Sequence, residues 1–151
     1  GRHLADLEFQ RGSARTGGCL SVTPESFLAE ARAASTRTDE MGMRLTINRA
    51  YYAAYHLALT VSHLCPDPPP AQAEGTHKAL IRRFLSVPTK SFKGASIARQ
   101  IGSWLDKGRS LRVRADYELN AMVHKDDPAR ALSYTERIQG LITQFTAQRT
   151  D

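Results

Sequence analysis

Two segments of the chain concentrate residues that could act on a phosphate group. The first, residues 109–118, carries three arginines beside an aspartate and a tyrosine in a segment with helical periodicity. Arg109, Arg112 and Asp116 are spaced i, i+3 and i+7 and so share a helix face, where Arg112 and Asp116 can form an ion pair. Guanidinium groups bind phosphate through a planar fork of donors, so Arg109, Arg112 and Arg114 predict a phosphate site. The same pattern is also typical of a solvated, salt-bridged helix face.

The second segment, residues 49–56, places an arginine, three tyrosines and a histidine in an alanine-rich helix. Tyrosine buries an apolar ring but needs a partner for its hydroxyl, so Tyr51 and Tyr55 are expected in the core with satisfied polar tips. Arg49 and Tyr52 are better candidates for a ligand groove, because a central arginine must find a counter-charge.

Signatures of other chemistry are absent from the sequence. There is no P-loop, no glycine-rich dinucleotide motif after a strand, no HExxH and no GxSxG. The five histidines lack paired metal spacing; His56 and His63 could share a face, but a zinc site needs further ligands. We therefore expect neither a metal nor a cofactor. Cys19 and Cys65 form no CxxC pair and indicate free thiols in a reducing compartment, with a disulfide as the alternative.

Charge and hydropathy narrow the class of protein. The 151 residues include 21 basic and 15 acidic side chains, a net charge of +6, which favours nucleic acid or an acidic partner, although a solvated basic surface is also typical of such a composition. The best apolar stretch, Ala53 to Leu64, is too short to span a membrane. The first residues lack the apolar core of a secretion signal, so a cytoplasmic protein is expected.

The elements that must position these residues are all predicted to be helices. Residues 1–22 are glycine- and arginine-rich and predict a flexible arm, and residues 23–151 predict one all-α domain, an antiparallel bundle of about five helices. Caps, prolines and apolar periodicity give the approximate helix bounds Thr23–Ala34, Asp39–Leu64, Thr76–Val87, Ala95–Met122 and Asp127 onwards.

The core of this bundle is predicted from apolar spacing. Two apolar stripes on the second helix, one of them beginning at Met41, indicate that it lies at the centre. The third helix should bury Leu80, Phe84 and Leu85. The stripe of the fourth helix is expected to run through Ile97, Ile101, Trp104, Gly108, Leu111, Ala115, Leu119 and Met122.

Three segments in order, NRAYYAAYHLAL, GTHKALIRRF and LRVRADYEL, resemble the small prokaryotic HEPN proteins (higher eukaryotes and prokaryotes nucleotide-binding). The resemblance covers about Glu25 to Phe145. It implies a helical bundle that usually forms a homodimer and is often encoded beside a minimal nucleotidyltransferase in a toxin–antitoxin pair.

The same resemblance suggests roles for the site residues. Active HEPN ribonucleases carry an arginine followed four to six residues later by a histidine, and the motifs of two chains meet at the dimer interface. They cleave RNA without a metal, because the 2′-hydroxyl attacks its own phosphate while histidine moves protons and arginine stabilises charge. The matching arginine here is Arg112, but the residue five positions later is Tyr117, a poor base at neutral pH. His124 lies beyond the family's spacing.

Two functions follow as expectations. The first is an RNA-directed toxin or defence protein, a candidate metal-independent endoribonuclease that acts as a dimer. Its catalytic residues would be Arg112, Asp116 and Tyr117, and its nucleic-acid-binding residues Arg49, Tyr52, Arg109 and Arg114. The alternative, favoured by the missing histidine, is a non-catalytic HEPN module that docks a nucleotidyltransferase or binds a nucleotide. A structural interaction protein without a nucleic-acid role is a third class.

Overall fold

The computed structural model describes residues 21–150, which fold into a bundle of five α-helices with no strand in that range. The helices are α1 (Pro24–Ala34), α2 (Glu40–Val61), α3 (Thr76–Leu85), α4 (Ala95–Tyr117) and α5 (Asp127–Thr150). A short 3₁₀ turn, Ser62–Leu64, continues α2. The predicted all-α bundle is confirmed. Residues 1–20 and 151 lie outside the described residues, so the predicted N-terminal arm stays a prediction.

Local signals placed the start of α1 correctly. The Thr23 hydroxyl accepts a hydrogen bond from the Ser26 amide at 3.3 Å, and the Ser26 hydroxyl accepts one from the Thr23 amide at 3.1 Å. Pro24 occupies the first helical position, where it costs no hydrogen bond. This reciprocal capping box satisfies two amides that the helix itself cannot pair.

Helix α2 lies at the centre of the bundle and contacts α1, α4 and α5. Alanines at its contacts, among them Ala50, Ala53 and Ala58, are fully buried and let neighbouring helices approach closely. The prediction that α2 is buried on most sides is therefore confirmed. The prediction was wrong for Met41, the first residue of one apolar stripe, because Met41 is 63% exposed near the start of the helix.

The core is divided into a larger and a smaller cluster. The larger cluster joins α2, α3, α4 and α5 and has as its largest fully buried side chains Tyr51, Phe84, Phe145, Ile101, Leu105 and Ile138. The smaller cluster joins α1, α2, α4 and the start of α5 through Ala31, Ile47, Ala50, Leu111, Ala115 and Ala131. Trp104, predicted as a core residue, is only partly buried and stacks on Tyr134 with a 5.3 Å centroid distance.

The third helix differs from the prediction at both ends. Thr76 was expected to cap it, but Gly75 is the N-cap residue and Thr76 is already helical, so no side chain caps this end. Leu85 was expected on the buried face and is instead partly exposed. It still packs on Gly102, where an added Cβ would lie 2.9 Å from the Leu85 side chain.

Helix α4 ends at Tyr117, five residues before the predicted end at Met122. Leu119 and Met122, expected in the core stripe, are 73% and 88% exposed. The cause lies on another helix. Arg44 of α2 is buried and inserts its guanidinium into the end of α4, where a continued helix would have used the same carbonyl groups itself.

The Arg44 guanidinium satisfies four acceptors. It donates to the carbonyl oxygens of Ala115, Glu118 and Ala121 at 2.8, 3.3 and 2.6 Å, and its Nε donates to the Glu40 carboxylate at 3.2 Å. A cation near the C-terminus of a helix is also favoured by the helix dipole. Arg44 therefore ends α4 and fixes the connection that follows it.

We expect Arg44→Ala to lower the free energy of unfolding by about 3 kcal/mol or more, because one buried and three partly buried acceptors lose their donor. Urea denaturation followed by circular dichroism measures the change. Arg32→Ala is the control: Arg32 is exposed and meets Glu136 at 3.5 Å, so its loss should cost about 0.5 kcal/mol or less. Equal effects of the two substitutions would contradict this role for Arg44.

Candidate functional site

A polar network joins α2 to α4 around Asp116. The Asn48 amide donates to both Asp116 carboxylate oxygens at 3.0 and 3.3 Å, and Arg112 Nη1 lies 3.4 Å from the same carboxylate. Arg49 Nη1 donates to the side-chain oxygen of the same amide, Asn48 Oδ1, at 2.9 Å. The structure thus links Arg49 to Arg112 through Asn48 and Asp116. The predicted Arg112–Asp116 ion pair is present.

Arg112 is enclosed by aromatic rings. Only 7% of the residue is exposed, and its guanidinium carbon lies 5.4, 5.5 and 5.9 Å from the ring centres of Tyr51, Tyr52 and Tyr117. Its Nε is buried and has no hydrogen-bond partner among residues 21–150. Arg112 therefore does not lie on a solvated helix face, and one carboxylate satisfies only part of its donor set.

Arg109 lies one turn earlier on the same face of α4. Its Nε is buried without a hydrogen-bond partner, and within the described part of the chain no ion pair holds its guanidinium. Arg109 lines a shallow depression of about 350 Å³ between α3 and α4, together with the basic Lys78 and Arg82 and the acidic Asp106. Arg82 is held by Glu74 at 2.6 Å. Positive charge therefore exceeds negative charge on this side of α4.

Of the other residues predicted for the site, Tyr52 and Tyr117 lie near Arg112, and Arg114 does not. Tyr52 is half-buried beside Arg112, and Tyr117, the last residue of α4, is 71% exposed. Arg114 projects about 200° around the helix from Arg112 and approaches Asp127 of α5 at 3.8 Å. We use the name α4 arginine site for the residues that come together: Arg49, Tyr52, Arg109, Arg112, Asp116 and Tyr117.

His77 is a neighbour of this site that the sequence reasoning did not assign to it. Its Nδ1 is 2.7 Å from the hydroxyl of Tyr51, and its ring lies 4.4 Å from the ring of Tyr55. Burial, followed by the positive charges of Arg112 and Arg109, lowers the pKa of His77 to about 4. The imidazole is therefore neutral at pH 7.

Tyr51 has the buried ring and the hydrogen-bonded hydroxyl that the sequence predicted for a core tyrosine. Its ring is fully buried and its hydroxyl is paired, with His77. Burial raises the pKa of this hydroxyl, so it stays protonated. His124, by contrast, lies in the connection to α5, where its Nδ1 accepts a hydrogen bond from the Asp126 amide at 3.2 Å.

No cluster of three or more histidine, cysteine, aspartate or glutamate side chains that could hold a metal occurs within residues 21–150. Over the same range, no helix is both long enough and apolar enough to cross a membrane. Cys65 is buried, and burial raises the pKa of its thiol to about 11. Cys19 lies outside the described residues, so the state of the cysteine pair stays a prediction.

Comparisons of this chain with models of protein families, with curated proteins and with solved structures find no match. The HEPN resemblance thus stays an interpretation of the three sequence segments.

The burial of Arg112 changes the expected cost of removing it. On a solvent-accessible helix face, removal of an arginine costs about 1 kcal/mol or less, but Arg112 is only 7% exposed. We now expect Arg112→Ala to cost about 2–3 kcal/mol, because the ion pair and the packing against three rings are both lost. Tyr51, which is fully buried, is expected to contribute more to local packing than the half-buried Tyr52.

Chemical denaturation of Arg112→Ala and Arg112→Met separates these contributions. Methionine keeps an apolar stem among the rings and removes a charge with an unpaired buried Nε, so Arg112→Met should be the more stable of the two. A methionine variant as unstable as the alanine variant would mean that the stability lost comes from the polar interactions of Arg112 and not from its packing among the rings.

Proposed function

We propose that this domain binds RNA at the α4 arginine site and acts as a HEPN-type RNA-directed toxin or defence protein. One observation carries the proposal: Arg109 and Arg112 share a face of α4, each has a buried Nε without a partner among residues 21–150, and Asp116 is the only described carboxylate in an ion pair with either of them. A buried cation with unused donors is costly unless an anion is bound. A phosphate group satisfies both the charge and the forked geometry of a guanidinium.

The surroundings of the arginines favour RNA over an isolated anion. Tyr117 exposes most of its ring beside Arg112, and an exposed tyrosine ring can stack on an unpaired base. The net charge of +6 would attract a polyanion from a distance. In this proposal Asn48 and Asp116 orient Arg112, and Arg49 extends the positive surface along α2.

Cleavage is the catalytic form of this proposal. The 2′-hydroxyl would lose its proton to solvent and its oxygen would attack the adjacent phosphorus, and the bond to the 5′-oxygen would break as that oxygen takes up a proton from solvent. A 2′,3′-cyclic phosphate would form while arginine stabilises the added negative charge. Tyr117 occupies the position of the family's histidine and is a weak base. Activity, where present, should therefore be slow and should rise with pH above neutral.

A non-catalytic binding module that docks a nucleotidyltransferase is the second candidate. The exposed apolar side chains around the end of α4, Tyr117, Leu119 and Met122, favour contact with another protein. The same surface supports a homodimer that brings the sites of two chains together, as the HEPN resemblance implies.

We expect a homodimer in solution. Light scattering at micromolar concentration should give about twice the 16.7 kDa chain mass, and Leu119→Asp together with Met122→Asp should shift it towards the monomer, because buried carboxylates oppose association. A monodisperse monomer in the unmodified protein would contradict the homodimer.

Arg109→Ala tests RNA binding with little risk to the fold, because no ion pair or hydrogen bond within the described residues holds Arg109. We expect affinity for an oligouridylate at about 50 mM salt to fall about tenfold, and the salt dependence to become shallower by about one ion. Fluorescence anisotropy measures both. Arg32→Ala removes the same charge from an exposed position on α1 and is the matched control.

Two results would count against the RNA proposal. One is the absence of binding by the unmodified protein at low salt. The other is an equal loss of affinity in Arg109→Ala and Arg32→Ala, since this would indicate attraction by net charge rather than a site.

Tyr117→His separates the catalytic form from the binding module. It restores the arginine–histidine spacing of active HEPN proteins, and we expect it to increase cleavage of total RNA in the presence of a chelator, since positioned acid–base catalysis contributes about 10²- to 10⁴-fold. Detection of fragments with a 2′,3′-cyclic phosphate identifies the reaction. A folded, dimeric Tyr117→His protein that leaves RNA intact would favour the binding module.

A further inference from the structure

We propose that the outer face of α4 and α5 is a docking surface for an acidic segment of a partner protein. Positions 104, 107 and 114 share one side of α4, and positions 130, 134 and 137 share one side of α5. We use the name α4–α5 basic face for these residues: Trp104, Lys107, Arg114, Arg130, Tyr134 and Arg137. The proposal does not depend on RNA binding, because it uses none of the residues of the α4 arginine site.

Trp104 joins the two helices at one end of this face. The centre of its ring is 5.3 Å from the ring of Tyr134, 4.3 Å from Lys107 Nζ and 4.7 Å from the guanidinium carbon of Arg137. The electron-rich indole attracts both cations but does not neutralise their charge. Trp104 therefore holds two positive charges next to each other on the surface of the bundle.

These two cations have no counter-charge of their own. Lys107 and Arg137 are exposed, and neither forms an ion pair within residues 21–150. Each follows an acidic residue in the sequence, but those carboxylates lie elsewhere. Asp106 lines the depression between α3 and α4, and Glu136 meets Arg32 of α1 at 3.5 Å. The tryptophan end of the face is thus available to carboxylates from outside.

The other end of the face is only partly neutralised. The buried carboxylate of Asp127 lies 3.1 Å from Arg130 and 3.8 Å from Arg114. Both arginine side chains stay about half exposed, at 52% and 56%. One carboxylate shared by two arginines leaves an excess of positive charge, so the whole face attracts acidic groups.

The surroundings of Trp104 favour a protein over a nucleic acid as the partner. A base stacks on an open ring face, whereas Tyr134, Lys107 and Arg137 already lie against this ring. Tryptophan, tyrosine and arginine are the residues that dominate binding energy in protein interfaces. Aspartate and glutamate side chains supply the complementary charge. An acidic segment can pair with both cations without displacing them from the ring.

The α4–α5 basic face points away from the α4 arginine site. Lys107 and Arg109 project about 200° apart around α4, as Arg114 and Arg112 do. The face is completed by α5, whereas the arginine site is completed by α2. A partner docked on the face therefore leaves the arginine site accessible, and the two ligands can bind at the same time.

The test uses the full chain and two probes, a fluorescein-labelled oligoglutamate and an oligouridylate. Trp104 is the only tryptophan in the sequence, so its emission reports on this face. We expect the oligoglutamate to bind saturably at about 50 mM salt, where charges are weakly screened, and to change the Trp104 emission. The oligouridylate should leave that emission unchanged.

Lys107→Gln together with Arg137→Gln is the informative variant, because it removes both unpaired charges from exposed positions. Its affinity for the oligoglutamate, measured by fluorescence anisotropy, should fall about tenfold. Lys90→Gln together with Lys93→Gln is the matched control, which removes the same net charge from exposed positions between α3 and α4. The control should lose about twofold or less. Circular dichroism verifies that both variants are folded.

Three results would overturn the proposal. The first is the absence of oligoglutamate binding at low salt. The second is an equal loss of affinity in the two double variants, since this would indicate attraction by net charge alone. The third is an oligouridylate that changes the Trp104 emission and loses affinity when Lys107 and Arg137 are replaced, which would assign the face to RNA.

The outcomes also separate this inference from the proposed function. Oligoglutamate binding that requires Lys107 and Arg137, without any oligouridylate binding, supports the docking surface and overturns the RNA proposal. Oligouridylate binding that requires Arg109, without oligoglutamate binding, does the reverse.

Discussion

The packing of α4 against α2 encloses two guanidinium groups, and a buried cation must find acceptors or pay its full desolvation cost. Arg44 donates hydrogen bonds to four acceptors, three of which are carbonyl oxygens at and beyond the end of α4. Arg112 forms an ion pair with one carboxylate, that of Asp116. The same helix pair therefore contains one saturated arginine, which fixes the fold, and one arginine with unused donors, which leaves the site open to a ligand.

This difference explains the electrostatics of the site. Tyrosine rings surround Arg112 and stabilise its charge through their faces without neutralising it. Arg109 adds a second charge that no described carboxylate pairs, and the imidazole of His77 responds by remaining neutral, with a pKa of about 4. Tyrosine hydroxyls and neutral histidine donate hydrogen bonds but contribute no negative charge, so the arrangement is suited to an external anion.

Local signals in the sequence were sufficient to locate the five helices, but not all of their ends, and were insufficient for the site. The start of α1 follows from Thr23 and its neighbours alone, since a capping box lies within four residues. The end of α4 could not be predicted from nearby residues, because Arg44 determines where α4 ends. Arg44 lies 71 residues before Ala115, whose carbonyl group it binds. The Arg112–Asp116 pair follows from helix spacing, whereas the burial of Arg112 and the proximity of His77 depend on how three helices pack.

A structure of the protein crystallised with a short oligouridylate tests the central claim most directly. The account predicts a phosphate group within hydrogen-bond distance of Arg109 and Arg112, in contact with helix α4 on the side that faces α2 and α3. A phosphate bound instead at the exposed face of α4 and α5, where Lys107 and Arg137 lie 4.3 and 4.7 Å from the ring of Trp104, would contradict it.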